Sequence, residues 1–110
     1  MSAVADVVVA FVTAPPDAAR ALARDLVASR AVACANVVPA VWSAYRWEGE
    51  VEEAEEALLV LKTTRGRIAE VEAELDRLHP YDTFELVVLD VAGGSARYLA
   101  WVADSVVGPG

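Results

Sequence analysis

Apolar positions along the chain fall into six runs whose spacing alternates between strand and helix. Val7-Val-Val-Ala-Phe-Val12 is apolar throughout, which predicts a central strand covered on both faces. In Thr13-Ala-Pro-Pro-Asp17 the prolines suit a first helical turn, and the Asp complements the dipole. Ala19, Leu22, Ala23 and Leu26 recur at helical spacing, so a helix with that buried stripe is expected to run to about Arg30, with Arg20, Arg24 and Arg30 facing water. A long hairpin follows, with arms Val32 to Trp47 and Val51 to Lys62 and a tip at Glu48-Gly-Glu50. Pro39 inside the first arm predicts a kink. At ~3.3 Å per residue that arm spans roughly 50 Å, longer than a small domain needs, so its edges and aromatics call for a partner.

A second helix is expected from Thr64-Arg-Gly to about Leu78, with Ile68, Val71, Leu75 and Leu78 as its apolar stripe. Pro80 ends it and leaves His79 at its C-terminus, where the dipole favours a protonated imidazole. Phe84 to Val91 reads as the last major strand, and Ser95 as the cap of a third helix buried through Leu99, Val102 and Val106. The order β-α-β-β-α-β plus a helix is the ferredoxin-like split pattern. It predicts an α+β fold: one antiparallel sheet, helices on one face, a long hairpin between the second and third strands, and an extra C-terminal helix. The sheet's other face then needs a cover, from the third helix or from other subunits.

Composition narrows the function. The chain's 110 residues fit a single domain, 1–110, and 56% apolar content is high for a small monomer, which points to surface buried between subunits. A net charge of −8 argues against nucleic acid and against an anionic membrane as partners. A single Cys excludes an intrachain disulfide and fits a reducing compartment. With no signal-peptide pattern and no apolar run of membrane-spanning length, the expected location is cytoplasmic.

Candidate chemistry is sparse. Cys34 reads as a small strand hydrophobe or as a thiolate metal ligand, and His79 as a structural residue or a metal or anion contact. One His and one Cys cannot make a usual zinc site by themselves. Glu48, Glu50, Glu52, Glu53, Glu55 and Glu56 read as a solvated hairpin, with a hard-cation site as the alternative. Tyr45 and Trp47 share one face of the arm and Trp42 the other, which suits a subunit interface better than base stacking. Lys62, at a strand end, is expected to pair with Glu85 at the start of another, with Asp82 nearby. No phosphate loop and no nucleophile with a neighbouring base is present, so an enzyme is not expected.

Together Thr13-Ala-Pro15, Ala33-Cys-Ala-Asn-Val-Val-Pro39, Tyr45-Arg-Trp-Glu-Gly-Glu50, Glu55-Glu56, Leu61-Lys-Thr63, His79-Pro-Tyr81 with Glu85, and Tyr98-Leu-Ala-Trp101 resemble the CutA family of divalent-cation tolerance proteins. The resemblance implies a tight homotrimer like that of the PII signalling proteins, with hairpins reaching across neighbours. It also implies an association with copper or other divalent metals. By it, His79, Cys34 and Glu85 are the candidate metal residues, and Asn36, Tyr45, Trp47, Lys62 and Tyr81 line or support a cleft between subunits. Three positions depart from the pattern. Val12 stands where some members carry a Cys assigned to copper, Leu78 where those members have a first His, and Phe84 where Pro is usual. Two functions follow as expectations: a trimeric copper or divalent-metal binder, or a PII-like trimer holding a small anion or metabolite through Lys62 and His79.

Overall fold

The computed structural model describes residues 6–108. Strand β1 (Val7–Ala14) is followed by α1 (Pro16–Ala28), β2 (Cys34–Trp47), β3 (Glu50–Thr64), a 3-10 turn (Arg65–Arg67), α2 (Ile68–Leu78), β4 (Val87–Asp90) and α3 (Ala96–Ser105). The sheet order is β2-β3-β1-β4, and every pairing is antiparallel. This is the expected α+β, ferredoxin-like arrangement, with β1 inside the sheet.

Strand alternation sorts the two faces. Ala10, Val12 and Ala14 of β1 and Ala57, Leu59 and Leu61 of β3 pack under α1 and α2, against Ala19, Leu22, Ala23, Leu26, Val71 and Leu75. These are the helix stripes expected from spacing, except that Ile68 and Leu78 are only half-buried. On the opposite face α3 covers one end, where Leu99, Val102 and Val106 close over Val7 and Ala33. Ser95 caps this helix by accepting from the Tyr98 N–H. The rest of that face is open. Val9, Phe11, Leu58 and Val60 are half-buried there, and Val38, Val87 and Leu89 are exposed. The third helix is therefore only part of the cover that the sheet needs.

The hairpin sets the molecule's length. Its long axis is 47 Å against 27 and 22 Å across. Glu48 and Gly49, with φ of 50° and 83°, form a two-residue turn between Trp47 and Glu50; positive φ at both positions is the signature of a turn that matches strand twist. Glu50 is thus the first residue of β3 rather than part of the tip. At Pro39 the register slips: Val38 faces Leu58 but Val41 faces Glu56, so Pro39 and Ala40 share one partner position. This is the predicted kink, realised as a bulge. Beyond Ala57 the third strand has no partner but β2, so seven pairs, from Val41↔Glu56 to Trp47↔Glu50, form a free two-stranded ribbon.

Two further strand starts differ from the sequence expectation. The first arm begins at Cys34; Val32 and Ala33 are buried just before it, and the Ala33 N–H still donates to the Lys62 carbonyl oxygen at 2.8 Å. β4 is four residues long, not eight, and pairs only with β1, ending at Phe11↔Val87. Phe84, Leu86 and Val88 still pack on the main core while Glu85 and Val87 point away, so the alternation was real although its first half lacks a ladder. Among the described residues no helix is long and apolar enough to cross a membrane.

Candidate functional site

The link between α2 and β4 is held down by His79, which is 8% exposed. The Tyr81 backbone N–H donates to His79 Nδ1 at 3.1 Å, and His79 Nε2 lies 2.8 Å from the Thr13 carbonyl oxygen. Because Nδ1 accepts, the ring proton sits on Nε2 and is donated to Thr13. This carbonyl lies past the last β4 pair, so the imidazole takes a bond where the short strand gives none. Phe84 stacks on the ring at 5.4 Å. The geometry engages both ring nitrogens, and neither offers a free lone pair within the single subunit.

Held this way, the link forms one wall of a cleft of about 760 Å³ at the root of the free ribbon. The ribbon contributes Trp42, Tyr45 and Trp47, and the link contributes Tyr81 and Phe84. Trp42 borders the cleft even though register places it on the face opposite Tyr45, because the cleft wraps around a twisted ribbon. Three carboxylates, Glu56, Asp82 and Glu85, complete the chemistry. Glu56 is 6% exposed, unlike the other five glutamates of the hairpin, which lie in water.

Tyr81 donates its hydroxyl to Glu56 Oε2 at 3.0 Å. Partial burial, and then this bond to the glutamate, push the Tyr81 phenol up to about 12. An unfolded tyrosine ionises near 10. The stability from this contact is therefore fully present below about pH 10 and is lost as pH rises through about 12. Tyr81→Phe is expected to cost about 1–2 kcal/mol at neutral pH, since Glu56 loses its donor. It is also expected to flatten the stability loss between pH 10 and 12; urea unfolding at pH 7, 9.5 and 11 checks both.

A second polar cluster lies at the other end of the sheet, on the open face. Lys62 Nζ donates to Asn36 Oδ1, and the Cys34 thiol lies 3.7 Å from the same oxygen. Tyr98 of α3 adjoins them, its hydroxyl raised by burial and by the neighbouring thiol. The expected Lys62–Glu85 ion pair is not formed: register sets Lys62 against Cys34, and the ion pairs among the described residues are Arg65–Asp90, Arg67–Glu70 and Arg77–Glu74.

The sequence-derived sets are thus divided within one chain. Of the cleft residues, Tyr45, Trp47 and Tyr81 meet, whereas Asn36 and Lys62 belong to the second cluster. Of the metal candidates, Glu85 lines the cleft, His79 is sealed behind it, and Cys34 stands in line with Val9, four residues from Thr13 along β1, or about 13 Å. No three His, Cys, Asp or Glu side chains are grouped to hold a metal ion among the described residues. The residues of one subunit therefore do not fit a copper centre of imidazole and thiolate. Glu56 was missed as a site residue. The available signal was its place two residues from Leu58, on the same strand face.

A family model described as the CutA1 divalent ion tolerance protein matches residues 7–105. The chain belongs to this family. A divalent-cation tolerance protein CutA of Thermus thermophilus is 41% identical over 88% of this chain and 95% of its own length. The solved structure of a Thermus thermophilus member superposes with a TM-score of 0.87 at 40% identity, covering 90% of this chain and 97% of that one. A structure described as a PII-like protein CutA from Nostoc, in apo form, superposes at 0.85 with 32% identity, over 90% of this chain and 96% of that one. The chain therefore has the CutA fold over most of its length.

Proposed function

We propose that this CutA chain works as a closed homotrimer that binds a small ligand in the cleft at each hairpin root, a PII-like binding role within divalent-cation tolerance, not a catalytic one. The observation that carries the reading is the cleft itself: about 760 Å³, walled by aromatic rings, and bounded by a ribbon with two unpaired edges. Its volume falls in the range of small-molecule sites. The open apolar face around Phe11, Val60 and Val87 supports the oligomer, because an uncovered sheet face and a free ribbon are both stabilised by copies of the same chain. The PII-like description of the Nostoc protein supports the same reading.

Direct binding of copper or another divalent metal is the second reading. What favours it is the family's association with divalent ions, together with the accessibility of two candidate donors, Cys34 on the open face and Glu85 at the cleft. A metal would then be held between copies, without His79. Calorimetric titration of the trimer with copper, under reducing and oxidising conditions, separates the two. A stoichiometric complex lost in Cys34→Ser supports the metal reading. No uptake, with tryptophan fluorescence responding to small-molecule ligands, supports the cleft.

A further inference from the structure

The cleft has a sign. None of the side chains that line it is Lys, Arg or His, whereas Glu56, Asp82 and Glu85 all face it. None of these three takes part in an ion pair among the described residues. Glu56 is more than nine-tenths buried, and its carboxylate is matched only by the neutral hydroxyl of Tyr81, on one oxygen. No side-chain oxygen among the described residues is both buried and unpartnered, so the second Glu56 oxygen reaches solvent at the cleft, where a positive charge would find it unpaired. The remaining walls are Trp42, Tyr45, Trp47, Tyr81 and Phe84, whose ring faces attract cations. A bare divalent ion uses little of this, and the carboxylates are not grouped around one point as a metal requires. The net charge of −8 raises the local concentration of any cation at the surface.

We infer that the cleft binds an organic cation: a small molecule carrying one or more alkylammonium or guanidinium groups, with its charge set toward Glu56 and Glu85 and its carbon chain against Tyr45 and Trp47, which share the ribbon face of Glu56. The inference rests on the reading of this cleft as the ligand site and names the ligand's chemical class. It differs from the anionic ligand expected of an inter-subunit cleft with Lys62 and His79, since neither side chain of the same subunit lines this cleft.

Titration of the assembled 110-residue chain with spermidine and agmatine tests it, with AMP, succinate and magnesium chloride as controls, read by tryptophan fluorescence and by NMR of the indole N–H groups. Saturable binding of an organic cation is expected, weakened at least tenfold by Trp47→Ala and by Glu85→Gln. Both residues are exposed in the single subunit, so neither variant endangers its fold, and size exclusion checks that the assembly is kept. Glu56→Gln keeps a partner for Tyr81 and is expected to weaken binding as well. If AMP or succinate saturates the cleft and the cations do not, the charge assignment is overturned and the ligand site stands. If magnesium competes as well as spermidine does, the organic specificity is overturned. If no probe moves the indole signals, the cleft is filled by a neighbouring copy, and both this inference and the ligand-site reading are overturned.

Discussion

The double substitution Val38→Glu and Val87→Glu is expected to convert the proposed trimer to a folded monomer at micromolar concentration. Both valines are exposed in the single subunit, at 41% and 48%, so a glutamate at either place meets water and leaves the core intact. In the proposed closed assembly the same positions would be covered, and each interface would have to desolvate unpaired carboxylates at a cost of several kcal/mol apiece. With a chain already at −8, the added charges also repel one another across the interface. Light scattering coupled to size exclusion gives the mass, and circular dichroism confirms that secondary structure is kept. A trimer that survives both glutamates places the interface elsewhere.

His79→Phe is expected to destabilise the subunit by about 2–4 kcal/mol, with Tm lowered by some 10–20 °C. An aromatic ring is kept against Phe84, so the loss combines the polar clamp with the crowding of a larger ring. The Thr13 carbonyl and the Tyr81 N–H lose their partners together, and the wall of the cleft comes loose from β1. A His79 that served only as a metal ligand would predict the opposite: stability unchanged in the metal-free protein and lost copper uptake. Thermal unfolding in the presence of a chelator distinguishes the two.

Much of the architecture was legible because local rules and the tertiary fold agree. Ala19, Leu22, Ala23 and Leu26 are the buried stripe of α1, Pro39 marks the bulge, and Ser95 caps α3. Each of these depends on a few adjacent residues. The site was less legible because it is made by distant pairings. Glu56 reads as one of six solvated glutamates, yet it is buried because Tyr81, 25 residues later, is brought across it. Lys62 and Glu85 end and begin strands in sequence, but the β2–β3 register puts Lys62 beside Cys34 and Asn36. His79 at a helix end suggests a charged ring, and only the positions of Thr13 and Tyr81 show that both nitrogens are engaged. The short β4 has the same origin: Phe84 and Leu86 alternate like strand residues, while the chain before Val87 is drawn to His79 and the cleft.

Native mass spectrometry with and without copper tests the central claim most directly. Three chains of 11.7 kDa give about 35 kDa. The predicted spectrum is that single species, unchanged in mass when stoichiometric copper is added. A monomer near 11.7 kDa would contradict the assembly and the cleft it completes, and a trimer gaining a fixed number of copper ions would contradict the small-ligand reading in favour of a metal centre built between subunits.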